Sequence, residues 1–156
     1  LTQKPGVEIL AFWIMPNHYH LLVKQKSDNG ISQFIRIFQN SYAKYFNVKN
    51  NRSGAVFQAM FKGVHVETDE QLLHVCRYIH LNPVTAFLIE ATQLKFYPWS
   101  SFGSYIGIKD LPFVEKDLIL SLFNSKSEYE KFVYDRVDYQ RELAKIKHLI
   151  FDYPDV

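Results

Sequence analysis

An α+β fold is predicted for this chain, because strand-like segments near its start are followed by segments with helical periodicity. Residues 7–15 are almost continuously apolar, as in a strand covered on both faces at the centre of a sheet. Residues 31–46 repeat their apolar positions every three or four residues, as one face of a helix does. With 156 residues, 47% of them hydrophobic, the chain is long enough to bury one hydrophobic core.

Two histidines follow the first predicted strand. Pro16-Asn17 is a turn signal, so residues 18–24 are predicted to form a second strand. Because side chains alternate between the faces of a strand, His18 and His20 share one face, roughly 6–7 Å apart at the backbone. This spacing suits two ligands of one metal ion, whereas on a helix the two would point about 200° apart.

The segment between residues 28 and 67 is predicted as a helix, a loop and a strand. Residues 28–30, Asp-Asn-Gly, interrupt the strand pattern before the helix over 31–46. Residues 47–54 are polar and loop-like, and residues 61–67 are predicted to form a third strand.

A second helix is predicted to begin at residues 68–71, whose Thr-Asp-Glu-Gln order is that of a capping box. It is predicted to end near Asn82, because a residue that precedes proline disfavours the helical conformation. Its polar side carries His74, Tyr78 and Asn82 in a row, four residues apart. The core does not require a tyrosine there, so the Tyr78 hydroxyl is free to act as a donor, an acceptor or a nucleophile.

The rest of the chain, after residues 98–101, is predicted to be mostly helical. A second capping box is predicted at residues 127–130, and residues 138–151 form a charged amphipathic segment.

Charge and cysteine content restrict the class of protein. The net charge of +2 neither requires nor excludes a nucleic-acid partner. The single cysteine, Cys76, excludes an internal disulfide and fits a reducing compartment. No run approaches the roughly 20 apolar residues of a membrane span, and no signal peptide is recognisable. We therefore expect a cytoplasmic protein with no membrane partner.

Four segments together resemble one family. Residues 15–22 resemble the HUH motif of single-tyrosine transposases, and residues 77–84 resemble the catalytic-tyrosine helix of their REP-associated branch. Residues 54–62 and 97–102 resemble further signature segments of that branch. The order and spacing of all four match, and the resemblance covers roughly residues 7 to 105.

The resemblance implies a ferredoxin-like, RRM-like antiparallel sheet with packed helices. The catalytic domain would occupy residues 1–110, and a helical C-terminal extension would occupy residues 111–156. Proteins of this branch carry a further strand and helix before the segment that begins here, so the domain is expected to be shortened at its N-terminus. An unpaired sheet edge would invite a second chain, and hence a homodimer.

The resemblance also implies a function, namely metal-dependent cleavage and rejoining of single-stranded or hairpin DNA by a bacterial-type, nucleoid-associated protein. His18, His20 and Asn82 would hold a divalent ion, Mg²⁺ or Mn²⁺, and Tyr78 would form a 5′-phosphotyrosine. His74 is a candidate helper of Tyr78, although a solvated histidine is the commoner interpretation of its position.

Contacts with DNA are expected near the third predicted strand. Arg52, Gln58 and Lys62 lie in or beside one of the signature segments, where cations neutralise phosphates. The aromatic residues nearby, including Phe57, Phe61, Tyr97 and Trp99, are expected to belong mostly to the core.

Three other interpretations remain open from the sequence. A histidine-triad nucleotide hydrolase would need a third histidine two residues after His20, where Leu22 stands. A DNA-binding domain derived from such a transposase would keep the fold without cleaving. A purely structural module would make the four ordered motifs a coincidence, although a lone histidine pair or a lone surface tyrosine is more often structural than catalytic.

Overall fold

The computed structural model describes residues 6–58 and 60–138. It confirms the α+β class, with a two-stranded antiparallel sheet and several helices. The strands are β1 (Val7–Ile14) and β2 (Tyr19–Gln25), and the helices are α1 (Gly30–Lys49), α2 (Asp69–Thr85), a 3-10 helix (Ala91–Phe96), α3 (Phe102–Tyr105), α4 (Asp117–Leu120) and α5 (Lys126–Tyr134). Apart from Asp138, the predicted amphipathic segment over 138–151 lies outside the described residues.

Strand β1 is paired on more than one side, as its continuous apolar pattern predicts. It forms the sheet with β2. The Ile14 N–H donates to the Trp99 carbonyl at 2.9 Å, and the Ser101 N–H donates to the Phe12 carbonyl at 3.0 Å. Residues 99–101 therefore run beside the end of β1 that leads into the histidine turn.

The prediction of a third strand over residues 61–67 is wrong. This segment is irregular and mostly exposed, and Val64 is 92% exposed. A strand becomes stable when a partner satisfies its backbone hydrogen bonds. The described part of the chain supplies no strand partner here, so the apolar residues of the segment do not produce a strand.

The prediction that α2 ends near Asn82 is also wrong, because the helix continues three residues further with Pro83 inside it. Residues 79–85 are all buried, and this burial offsets the hydrogen bond that proline cannot donate. The predicted start is confirmed, since the Thr68 side chain accepts a hydrogen bond from the Gln71 N–H at 3.2 Å.

The N-cap of α5 lies two residues before the serine that the sequence predicted. Ser125, in an extended conformation, accepts a hydrogen bond from the Glu128 N–H at 3.1 Å. The Glu128 carboxylate accepts one from the Asn124 N–H at 2.8 Å. Ser127 already lies within α5, where a helical backbone prevents it from serving as the cap.

The chain divides into two compact units. Of the described residues, the first contains 6–8 together with 23–66, and α1 is its main element. The second contains residues 9–22 and 67–138 of the described chain. The histidine pair, α2 and α5 all belong to the second unit, while the predicted boundary at residue 110 stays a prediction.

Candidate active site

The turn between β1 and β2 brings His18 and His20 together, with ring centroids 5.2 Å apart. The Met15 N–H donates to the His18 carbonyl at 2.8 Å and so closes the turn. Two imidazoles that bind one ion through nitrogens at about 2.1 Å have centroids no more than roughly 6.5 Å apart. The observed separation therefore fits two ligands of a single ion.

Trp13 supports both imidazoles from β1. Its buried indole stacks on the His20 ring at 5.5 Å, with an interplanar angle of 8°. The same indole meets the His18 ring edge to face at 5.7 Å. Because aromatic contacts of this kind restrict ring orientation, the histidine pair is preorganised by its own hairpin.

The surroundings of both imidazoles suit metal ligands. The His18 Nδ1 lies 2.7 Å from the Asn17 Oδ1. Since an amide oxygen only accepts, Nδ1 donates and the Nε2 lone pair stays available to a ligand. Burial, and secondly the charge of His18, lower the pKa of His20 and favour its neutral form. A histidine must be neutral to bind a metal, so the donor set fits a divalent ion.

Tyr78 of α2 reaches this pair. Its ring centroid lies 6.0 Å from that of His20, and the two rings are nearly perpendicular at 87°. The side chain is 42% exposed. The tyrosine is therefore close to the histidines and open to a large partner, so the residue predicted as nucleophile meets one of the predicted metal ligands.

Asn82 lies one helical turn beyond Tyr78 but is only 7% exposed, although the sequence placed it on the polar side of α2. Its Nδ2 has no hydrogen-bond partner among the described residues. A buried unpaired amide is destabilising by about 1–3 kcal/mol, which a bound ligand would relieve. An amide can offer its oxygen to a cation or its NH₂ to a phosphate oxygen, so Asn82 fits either partner.

The surroundings of the pair contain few further metal ligands. Among residues 6–58 and 60–138, no group of three or more histidine, cysteine, aspartate or glutamate side chains could hold a metal ion. The two imidazoles are neutral donors, so they would leave the positive charge of a divalent ion uncompensated.

Comparison with known families supports the motif-based prediction. Residues 1–82 match the family described as "Transposase IS200 like". This stretch is more than half of the chain and contains the histidine pair, Tyr78 and Asn82. The chain belongs to the IS200-like transposase family. No curated protein and no solved structure matches it.

Membership in this family makes the chain a transposase-like DNA-processing protein, with DNA as its partner. Within the described part of the transposase, no helix combines the length and apolar character needed to cross a membrane.

His74 of the transposase is engaged along its own helix. The Arg77 Nη2 donates to the His74 Nδ1 at 2.6 Å, and the His74 Nε2 lies 3.7 Å from the Glu70 Oε1. Both nitrogens thus have neighbours on α2. This arrangement favours the solvated surface role for His74 over that of a helper of Tyr78.

A buried hydrogen-bonded chain behind α2 was not foreseen from the sequence. The His80 Nε2 lies 2.7 Å from the Ser101 Oγ, and the His80 Nδ1 lies 2.7 Å from the Tyr129 Oη. The Tyr129 Oη lies 3.2 Å from the Cys76 Sγ. At the other end, the Ser101 Oγ accepts from the Phe12 N–H at 2.9 Å and donates to the Phe12 carbonyl at 3.3 Å. The chain therefore joins β1, α2 and α5.

Burial keeps the side chains of this hydrogen-bonded network neutral. It lowers the pKa of His80 to about 3, with a smaller effect from the Lys109 charge, and raises the pKa of Cys76 to about 12. Burial also raises the pKa of Tyr129 well above its usual value. One order of protons satisfies every member: Cys76 donates to Tyr129, Tyr129 to His80, His80 to Ser101, and Ser101 to a main-chain carbonyl.

Ser101, His80 and Tyr129 stand in the order of a nucleophile, a base and an orienting group. All three are fully buried, so a substrate cannot reach the serine. The trio is therefore structural. One signal in the sequence pointed to it: His80 lies two residues after Tyr78, about 200° around the helix and hence toward the core.

The predicted DNA-binding residues and the predicted core aromatic residues have different outcomes. Arg52, Gln58 and Lys62 are exposed and belong to the first unit. Trp99 is 58% exposed, Phe61 is also exposed, and Phe57 and Tyr97 are half-buried, so the expectation that most of these four belong to the core is wrong. A high aromatic content requires many buried rings but does not specify which of them are buried.

Proposed function

We propose that this chain cleaves and rejoins single-stranded DNA through a covalent 5′-phosphotyrosine, with Tyr78 as the nucleophile. The proposal places it in the REP-associated branch of its family and gives it hairpin DNA as substrate. The observation that carries it is the approach of Tyr78 to the preorganised histidine pair, 6.0 Å from His20 between ring centroids.

His18, His20 and Asn82 would hold one Mg²⁺ or Mn²⁺ ion. When bound, such an ion supplies Lewis-acid polarisation of the scissile phosphate. Nitrogen and amide donors do not cancel its charge, which favours an anionic phosphate as the remaining ligand. The buried, unpaired Nδ2 of Asn82 is a hydrogen-bond donor, so it supports an acceptor such as a phosphate oxygen at this position.

Tyr78 would carry the covalent step. The Tyr78 Oη forms a bond to phosphorus as the bond from phosphorus to the 3′ oxygen breaks. The phenol proton passes to solvent and the leaving oxygen takes up a proton to become a 3′-hydroxyl. Because the phosphotyrosine ester retains a phosphodiester-like bond, attack by another 3′-hydroxyl reverses the step and joins strands without ATP.

The test is incubation with a hairpin-flanked single-stranded oligonucleotide and Mg²⁺ or Mn²⁺, followed by denaturing electrophoresis. We expect a covalent protein–DNA adduct that disappears in Tyr78→Phe and when the metal is chelated. Tyr45→Phe is the matched control, since it removes the hydroxyl of an exposed tyrosine on α1. An undiminished adduct in Tyr78→Phe would refute the role of this tyrosine.

The histidine pair is tested separately. We expect His18→Ala and His20→Ala to abolish metal-dependent cleavage while hairpin binding, measured by fluorescence anisotropy, is largely retained. Cleavage at the original rate in both variants would remove the metal role. Binding of the oligonucleotide by the unsubstituted chain without any adduct would instead favour a non-cleaving DNA-binding domain. A homodimer is part of the proposal and is checked by sedimentation.

A further inference from the structure

We propose that Ser101 is a positioning residue for the Tyr78 reaction, acting through His80. This inference rests on the proposed function of Tyr78. Ser101 joins β1, which supports the histidine pair, to α2, which carries the tyrosine, and so sets the orientation in which the two meet.

The first link joins Ser101 to β1. Its Oγ makes two contacts with the main chain of Phe12, at 2.9 Å from the N–H and at 3.3 Å to the carbonyl, and its own N–H donates to the same carbonyl. The next residue along β1 is Trp13, whose indole stacks on the His20 ring at 5.5 Å. Ser101 therefore contacts the residue of β1 that directly precedes Trp13, the residue that supports the histidine pair.

The second link joins Ser101 to α2. The Ser101 Oγ lies 2.7 Å from the His80 Nε2, and both side chains are fully buried. Successive residues on an α-helix are rotated by about 100°, so His80 and Tyr78 point in nearly opposite directions. A hydrogen bond that holds His80 inside the core therefore also limits rotation of α2 and keeps the Tyr78 ring directed at His20.

A second contact of His80 does not supply this link. The Tyr129 Oη holds the His80 Nδ1 at 2.7 Å and lies 3.2 Å from the Cys76 Sγ, so these hydrogen bonds join α5 to α2 and do not reach β1. Ser104 does not supply the link either. It is buried, and its hydroxyl donates to the Ser101 carbonyl at 2.7 Å. Ser104→Ala thus removes a buried serine hydroxyl without removing the link between β1 and α2.

The experiment compares Ser101→Ala with Ser104→Ala in single-turnover adduct formation at saturating hairpin oligonucleotide, at a temperature at which both variants are folded. We expect Ser101→Ala to slow adduct formation at least tenfold with unchanged hairpin Kd, and Ser104→Ala to slow it less than twofold. Ser101→Cys, which is close in size and retains a weak donor and acceptor, should recover part of the rate. Equal rates in the two alanine variants would overturn the proposal.

A structural readout separates this inference from the proposed function. In the unsubstituted protein, NMR should show a through-space contact between the Tyr78 and His20 rings, which lie 6.0 Å apart. We expect this contact to weaken in Ser101→Ala and to persist in Ser104→Ala, whether or not the protein forms an adduct. Persistence of the contact in Ser101→Ala would overturn the positioning role. If Ser101→Ala does not fold, the same ring contact is compared in Ser101→Cys and Ser104→Ala. We then expect the contact to weaken in Ser101→Cys, although less than it would in Ser101→Ala.

Discussion

Acid should destabilise this protein mainly through the buried imidazole of His80. His80 is fully buried, and its pKa is lowered from 6.5 to about 3, first by burial and then by the Lys109 charge. The unfolded chain protonates this histidine below pH 6.5, whereas the folded chain keeps it neutral. Below pH 6.5 the unfolded state therefore binds more protons than the folded state. The stabilising contribution of His80 is complete above pH 6.5 and is lost as the pH falls toward 3.

The size of this effect follows from the same pKa values. Each pH unit below 6.5 removes about 1.4 kcal/mol of unfolding free energy, so His80 alone costs roughly 3 kcal/mol at pH 4. Protonation at Nδ1 also removes the acceptor for the Tyr129 hydroxyl, 2.7 Å away. For a domain whose total stability is about 5–15 kcal/mol, this loss is a large fraction.

The assay is urea unfolding followed by circular dichroism between pH 7 and pH 4. We expect His80→Gln to lose less stability than the unsubstituted protein over this interval. His74→Gln, which removes an exposed imidazole from the same helix, should keep the full loss because the buried imidazole is still present. Some loss should persist in His80→Gln, since burial and the nearby His18 also lower the pKa of His20.

The result that would refute this reasoning is an identical pH dependence in His80→Gln and the unsubstituted protein. If His80→Gln does not fold, a second measurement on the unsubstituted protein tests the same reasoning. The His80 ring resonances of the unsubstituted protein, followed by NMR, should not titrate above pH 4. Titration near pH 6.5 would show that the imidazole is not held neutral by the fold.

Two further predictions concern the start of α2 and the exposed cations of the first unit. Thr68→Ala removes the cap of α2 and should lower the unfolding free energy, measured by chemical denaturation, by about 1 kcal/mol. The control Thr92→Ala, at an exposed position, should lower it by less than about 0.5 kcal/mol. Equal losses in the two variants would contradict the role of Thr68 as the cap. Lys62→Gln should reduce the slope of log Kd for single-stranded DNA against log salt by about 0.7, whereas Lys131→Gln on α5 should leave it unchanged. An unaltered slope in Lys62→Gln would remove this lysine from the DNA contacts.

Local patterns in the sequence were sufficient for the elements on which the candidate site stands. The apolar run of β1 and the turn at Pro16-Asn17 predict a hairpin, and strand alternation predicts that His18 and His20 lie together. The capping box at Thr68 predicts the start of α2, and helical spacing predicts the row that contains Tyr78. These predictions hold because each depends on hydrogen bonds and side-chain directions within a few residues.

Pairing and burial between distant segments could not be predicted in this way. Residues 61–67 have apolar residues suited to a strand, but a strand requires a partner, and partners are set by tertiary structure. The continuation of α2 through Pro83 depends on burial of the last helical turns, which the proline rule does not include. The exposure of Trp99 depends likewise on which rings fill the core.

The sequence alone determined that a histidine pair and a tyrosine row exist, because strand and helix periodicities specify which side chains share a face. Only the tertiary structure decided that the two meet, with Tyr78 beside His20, and that Asn82 is buried with an unpaired amide. It also decided the role of His80, whose partners Ser101 and Tyr129 lie 21 and 49 residues away along the chain. Contacts at such separations depend on how the whole core closes, which no local pattern encodes.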